Sequence, residues 1–482
     1  MVGTGVLIAL GRVSEFVGRS WRRWVKSLVE AVVFVAVCCA AVWLAVQVTP
    51  MQSVAAAGQT VRVGAVQGSP TGSGPGELDL FGQAIPTKPH FTGPIRPRLE
   101  LARITIDAQV DDFVKSGEQG AIGLTSRLTD GWRRYCLWET LVAAGFATVV
   151  FAAVTALRHW SRATKVRLIG AGVACAVALN SLCVYLLASS TPQALDRVRT
   201  INDLVGRSPD HPVPAAKGPT LEKVQAVVIG DSTAAGIGNP RVDDPTALDR
   251  ACGRSQDAYA VYLGEVNNWD VLNLACSGAT VAGGLLGVQI LGHQVAPPQL
   301  SEAQRASRAS VIIVSVGAND VHWADLTKLC LAAKACGDKA STAYFQQQLA
   351  TFSQQLYDLM RQLAALPQHP IVLVNQYYDP LGPDVGCLRA DGITPAMASA
   401  LHGRLGDLNA VLAKAAGTFG FHSVQPHFGG HTLCTHSPFV QGPGAEAPLH
   451  PTASGELAIA LADQQMLATI LSGSGSSTSL NP

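Results

Sequence analysis

Three long apolar runs precede residue 190, and shorter apolar runs in a different rhythm follow it. Leu28 to Val48 is apolar apart from Glu30 and Gln47. At about 1.5 Å per residue that length crosses the roughly 30 Å hydrocarbon core of a bilayer. Arg19, Arg22, Arg23 and Lys26 precede it, so the positive-inside bias puts residues 1–27 in the cytoplasm and runs the segment outward. A second run covers Leu141 to Leu157 and a third Leu168 to Ala188, with Arg158, Arg162, Lys165 and Arg167 on the connection between them. Those cations predict a cytoplasmic loop over 158–167. The three signs agree: residues 49–140, and everything after 188, lie outside. The placement of the C-terminal part holds whether the first segment is kept or removed. Its apolar core exceeds the roughly 7–15 residues of a signal-peptide h-region, which favours retention; Ala55-Ala56-Ala57 offers small residues for cleavage as the alternative.

Residues 51–132 are rich in Gly and Pro early, then place Leu99, Leu101, Ile104 and Ile106 in partial alternation, which predicts a short strand pair. No chemistry attaches to this stretch. Over 189–220, Leu195, Val198, Ile201, Leu204 and Val205 recur at helical spacing before Pro209, Pro212, Pro214 and Pro219, which predicts a short helix and a stiff linker. From residue 221 to 472 apolar runs alternate with helical periodicity. Val224–Ile229, Val271–Leu274, Val311–Val316 and Ile371–Val374 read as buried parallel strands. Phe345, Leu349, Phe352, Leu356, Leu359 and Leu363 mark one amphipathic helix, and Leu401, Leu405, Leu408 and Leu412 another. Strand alternating with helix predicts a doubly wound, three-layer α/β/α domain of the flavodoxin-like kind, preceded by transmembrane helices and followed by a flexible tail over 473–482. In such sheets the reactive groups sit just beyond the carboxyl ends of the strands.

Composition sharpens this picture in two respects. A hydrophobic share of 48% with 14% charged residues exceeds that of ordinary soluble chains, and the excess lies in the spans. The net charge of +1, with no Lys/Arg run interleaved with aromatics, gives no field or groove for nucleic acid. Three spans with no buried charge do not make a transport pathway. Asn180 and Ser181 in the third span read as contacts between helices.

The strand ends carry the chemistry. Gly230-Asp231-Ser232-Thr233 follows the first strand, Cys276-Ser277-Gly278 the second and Gly317-Ala318-Asn319-Asp320 the third, while His450-Pro451 stands before a C-terminal helix. The sequence resembles the SGNH (GDSL-type) serine hydrolase family, esterases and lipases whose four blocks occur here in order over about residues 221–471. The resemblance implies that Ser232 is the nucleophile and His450 the general base. It further implies an oxyanion hole built from the backbone N–H groups of Ser232 and Gly278 and the side-chain amide of Asn319. The chemistry requires such parts: a serine hydroxyl must lose its proton as it attacks, and fixed donors to the tetrahedral oxyanion are each worth about 100- to 1,000-fold in rate. No cofactor or metal is required. The residue two beyond Ser232 is Ala234, so the Gly-x-Ser-x-Gly elbow of α/β-hydrolases is missing. Asp231 and Asp320 read as organisers of their turns.

Most family members place an Asp three residues before the histidine, where this chain has Ala447. The orienting group is then the carbonyl of Ala447 or Pro448, or the Glu446 side chain. Cys252-Gly253-Arg254-Ser255 with Ala258-Tyr259, Ala275-Cys276-Ser277-Gly278-Ala279-Thr280, and Gly430-His431 with Leu433-Cys434 resemble the secreted, disulfide-containing actinobacterial branch. Sequence alone leaves every pairing among the six cysteines of this region open. The resemblance implies Cys252 with Cys276, Cys330 with Cys336, and Cys387 with Cys434. His427, His431, Cys434 and His436 match no common zinc spacing. His322 and Trp323, beyond the Asn319 block, are candidates for a substrate pocket or a surface turn.

The expected function is that of a membrane-embedded, extracytoplasmic ester hydrolase, working through an acyl-serine intermediate on a lipid or acylated glycan of the cell envelope. An envelope acyltransferase using the same serine and histidine, and a catalytically inactive envelope-binding protein, are the alternatives. Oligomeric state is not written in the sequence.

Overall fold

The three apolar runs lie in helices α1 (Gly3–Val48), α2 (Glu118–Ala156) and α3 (Arg162–Leu195) of the computed structural model, which describes residues 3–56, 59–68, 72–104, 118–195, 213, 218–333 and 336–476. Within these helices Trp24–Val48, Asp130–Ala156 and Arg162–Ser189 are long and apolar enough to cross a membrane. The second of these apolar segments begins well before residue 141, because a helix once nucleated continues through polar positions that a hydropathy pattern reads as an end. That extension corrects the expectation of spans without buried charge. Glu139 is buried between helices, where Asn180 Nδ2 donates to its Oε2 at 2.7 Å and to Thr140 Oγ1 at 2.8 Å.

Between α1 and α2 the chain forms five strands, β1 (Gln52–Ala56), β2 (Gln59–Gln67), β3 (Ser73–Leu80), β4 (Gln83–Thr92) and β5 (Ile95–Ile104). They make one sheet in the order β1-β2-β5-β3-β4. All neighbours are antiparallel except β3 and β5. A full sheet thus replaces the expected strand pair. Pro75, Pro86 and Pro89 lie within β3 and β4, and proline in a strand hides the signal that marks it. Ile106 and the linker positions Val198 to Val205 lie outside the described residues.

The C-terminal half is built on a second sheet of β6 (Ala226–Gly230), β7 (Val271–Asn273), β10 (Val311–Ser315), β11 (Ile371–Asn375) and β12 (His422–Val424). Its order is β12-β11-β10-β6-β7 and every pairing is parallel. β6 and β10 are buried throughout, as β-branched runs covered on both faces should be. Helices α4 (Ser232–Ala235), α5 (Ala247–Cys252), α6 (Tyr259–Asn267), α7 (Gln299–Ala303), α8 (Trp323–Ala333), α9 (Lys339–Ala364), α10 (Pro395–Phe419) and α11 (Ala453–Ser476) complete it. α9 packs on α10 and α6 on α11, giving the three-layer α/β/α arrangement. A hairpin of β8 (Gln289–Leu291) and β9 (Gln294–Ala296) stands apart from the main sheet. This hairpin and β12 were not legible in the sequence, since each is short and begins on a polar residue rather than in a contiguous apolar run. Ser315 pairs with Gly230 in the register of β10 and β6, so both strands end at one level and their following loops meet.

Candidate active site

Gly230 closes β6 where only glycine fits: an added Cβ would lie 2.4 Å from the Ser315 carbonyl oxygen. Asp231 then caps the one-turn helix α4, its carboxylate accepting from the Thr233 N–H at 3.0 Å, while its own N–H donates to the Ser315 carbonyl at 3.0 Å. Ser232 is the first residue of that helix, half-buried. Its Oγ lies 2.8 Å from His450 Nε2 across 218 residues of chain. The His450 Nδ1 lies 3.1 Å from the Pro448 carbonyl oxygen. A carbonyl can only accept, so Nδ1 carries the proton and Nε2 is left to accept from the serine hydroxyl. Burial lowers the imidazole pKa below 6.5, opposed by the carbonyls of Pro448 and Ala447. Glu446 is exposed.

His450 is delivered by a loop held from several sides. Leu449 takes φ +68°, a left-handed conformation costly for a side chain of its kind. Gln441 N–H donates to the His450 carbonyl at 2.7 Å and Leu449 N–H to the Gln441 carbonyl at 3.0 Å. The Gln441 side chain donates to the Ile237 carbonyl at 2.8 Å and to that of Pro451 at 3.0 Å, tying the turn after Ser232 to the histidine loop. Tyr378 Oη donates to the Leu449 carbonyl at 2.8 Å.

The remaining two blocks are joined to each other. Asn319 Nδ2 donates to the Ala279 carbonyl at 3.0 Å, and Asp320 accepts from the Val281 N–H at 3.0 Å. Gly278 is exposed with φ +80°, and Ser277 N–H beside it donates to the Cys252 carbonyl at 2.9 Å. The structure bonds Cys252 to Cys276, Cys330 to Cys336 and Cys387 to Cys434. The first fixes the Gly278 loop and the third the chain approaching His450. Among the other histidines, His431 stacks on Phe439 at 3.9 Å and lies 2.8 Å from the Ser437 carbonyl, and His436 is exposed. Trp323 lines an apolar cavity with Leu381, Ile393, Leu401, Leu405 and Leu449, the last adjoining His450. His322 lies outside that lining and rests edge-on to Tyr344.

Tyr377 is absent from the sequence reading and sits at the centre of the site. Its hydroxyl donates to Asp231 Oδ2 at 2.5 Å and accepts from the Ala318 N–H at 2.9 Å. One side chain thus links the residue before Ser232 to the residue before Asn319. Gln299 is similar, its amide pairing with both backbone groups of Gly230 at 2.7 and 2.9 Å. No signal in the sequence could have marked them, since their partners lie 69 and 146 residues away. Tyr377→Phe leaves a buried carboxylate oxygen without this partner, at a cost of about 1–3 kcal/mol, and frees the half-buried Ala318 N–H. We expect a lower melting temperature together with a reduced kcat at nearly unchanged KM.

Burial pushes the Asp231 carboxyl up to about 6, against the hydrogen bonds of Tyr377 and Thr233. It raises Asp320 to about 7 and Asp463, which accepts from Asn375 Nδ2 at 3.1 Å, to about 8. In each case the folded state holds a proton that the unfolded chain releases near pH 4. The stability these groups contribute is therefore complete below about pH 4 and is lost as pH rises through about 6 to 8. The melting temperature should fall across that window, and Asp463→Asn should flatten the upper part of the curve; a flat wild-type curve would refute the assignment.

A parallel sheet with a serine and a histidine in contact at its carboxyl edge defines a serine hydrolase of the α/β/α class. Residues 228–458 match the GDSL-like lipase/acylhydrolase family. The C-terminal half of this chain belongs to that family, and the chain is an enzyme of its lipase/esterase type. It is 27% identical over 251 residues to a lipase of Streptomyces rimosus, covering 50% of this chain and 86% of that protein. With lipase 1 of Streptomyces coelicolor it shares 25% identity over 240 residues, covering 48% and 81%. Among solved structures, the extracellular lipase from Streptomyces rimosus is 24% identical with a TM-score of 0.40, covering 49% of this chain and 97% of that one. A phospholipase A1 from Streptomyces albidoflavus is 23% identical with a TM-score of 0.38, covering 48% and 96%.

Proposed function

We propose that this chain is a membrane-anchored, extracytoplasmic serine ester hydrolase acting on a lipid or acylated glycan of the cell envelope. The observation that carries the catalytic part is the 2.8 Å contact of Ser232 Oγ with His450 Nε2, whose other nitrogen is engaged by the Pro448 carbonyl. Ser232 Oγ attacks the ester carbonyl as His450 takes its proton. The tetrahedral oxyanion is received by the backbone N–H groups of Ser232 and Gly278 and by the Asn319 amide, which keeps a second N–H beyond its bond to Ala279. The C–O bond to the alcohol then breaks, the alcohol leaves with the proton from His450, and water repeats the sequence to release the acid. Anchoring is supported by the three apolar helices and by Arg158, Arg162, Lys165 and Arg167 on the connection of α2 to α3. Retention of α1 is supported by its packing on α2 and α3 through Cys38 and Ala41.

Labelling of the purified oxidised protein with a fluorophosphonate probe tests the assignment. Wild type should label, and Ser232→Ala and His450→Ala should not. A folded wild type that fails to label would favour an inactive binding protein instead.

A further inference from the structure

The small sheet bridges the apolar helices and the hydrolase domain. At one end Ile95, which opens β5, packs with Val42, Ala45 and Val46 of α1 and Ala143 of α2. Gln67 Nε2 donates to the Trp43 carbonyl there at 3.0 Å. At the other end Ile104, which closes β5, joins the hydrolase core, and Phe81 in the β3–β4 turn meets Phe419 of α10 at 6.4 Å between ring centroids. Strands of this length run about 30 Å, so the sheet is a strut from the helices to the enzyme. Where it grips the enzyme decides the orientation. Phe419 ends α10 and leads into β12, at the amino edge of the parallel sheet. Leu405 and Leu401, which line the cavity beside Leu449, stand 14 and 18 residues earlier on α10. They are about 21–27 Å up the helix at its usual rise. The strut therefore holds the edge opposite Ser232 and His450, and the catalytic rim is turned away from the apolar helices.

The rim itself carries an uncharged, apolar projection. From Val271 to Ser301 there is no Asp, Glu, Lys or Arg. Within this stretch the β8–β9 hairpin exposes Val288 (56%), Ile290 (75%) and Val295 (60%). Gln289 turns inward between them, its Nε2 donating to the Ser277 carbonyl at 2.7 Å beside Gly278. The hairpin is thus fastened to the same loop as the candidate oxyanion donor, and apolar side chains exposed this far at a catalytic rim fit an acyl surface.

We infer that the site takes its acyl esters in trans, from an uncharged lipid or acyl layer lying opposite the bilayer that holds α1, α2 and α3, with the Val288–Val295 hairpin settling into that layer. The inference rests on the Ser232–His450 hydrolase reading. It excludes lipids of the anchoring bilayer as the main substrate, because the strut keeps the rim on the far side of the domain from them.

The full chain reconstituted in phosphatidylcholine vesicles, hydrolase domain outward, separates the possibilities. A non-exchanging stearoyl ester of 4-methylumbelliferone is placed either in the same vesicles or in separate protein-free ones, with water-soluble p-nitrophenyl acetate as a third substrate. Hydrolysis in the separate vesicles should exceed that in the protein's own by about tenfold or more. Ile290→Asp with Val295→Asp should lower the trans rate by about tenfold, as expected when apolar insertion is lost, and leave p-nitrophenyl acetate hydrolysis unchanged, which also reports correct folding. Faster hydrolysis in the protein's own vesicles, or a hairpin variant that keeps its trans rate, overturns the inference. A wild type inactive on p-nitrophenyl acetate overturns the hydrolase reading, and this inference with it.

Discussion

Ser232→Ala lowers kcat/KM on p-nitrophenyl butyrate by about 10⁴- to 10⁶-fold, His450→Ala does nearly the same, and the double variant is no worse than either single one. The non-additivity follows from the geometry. Nε2 has Ser232 Oγ as its partner at 2.8 Å, so removing either member disables the same step, formation of the acyl-serine. Steady-state rates of the three variants check it. A double variant much worse than both singles would show that the residues act independently. The pH profile adds a second reading. Burial holds the His450 pKa below 6.5, so its neutral form is present at neutral pH and the acidic limb of kcat/KM should have its midpoint below 6.5. Among the described residues no carboxylate partners Nδ1, which faces the Pro448 carbonyl, and a carbonyl stabilises the imidazolium less than a charged partner does.

Asn319→Ala should lower kcat by about 10²- to 10³-fold with KM little changed, since a donor to the oxyanion acts only once charge has developed. The same side chain also holds the Ala279 carbonyl, so truncation loosens the loop that carries Gly278. Asn319→Asp keeps a side chain of the same shape but loses the amide donor to both the oxyanion and the Ala279 carbonyl, and adds charge where the oxyanion forms. It should be at least as impaired as Asn319→Ala. Activity close to wild type in either variant would remove Asn319 from the oxyanion hole.

The blocks around Ser232, Gly278, Asn319 and His450 were legible because each is a local string set at a strand end or before a helix. Strand ends can be read from runs of Val, Ile and Leu. The three long apolar helices were legible for a similar reason, with length and hydropathy lying within short windows. Tyr377 was not legible, although it bridges Asp231 and Ala318. Its role depends on β11 lying next to β10, and nothing near position 377 records that. Nor was Glu139 read as buried, because its burial depends on Asn180 arriving from another helix.

By itself, then, the sequence determined the alternation of strand and helix, the candidate nucleophile and base, and the side of a membrane on which its charges would place them. These are properties of contiguous residues, governed by local sterics, hydropathy and charge. Only the tertiary structure decided which carbonyl faces His450 Nδ1, which side chains tie the catalytic loops together, and that the small sheet stands as a strut against the edge opposite Ser232. Those depend on distances between residues far apart in the chain, which are set by register and packing once the core has closed.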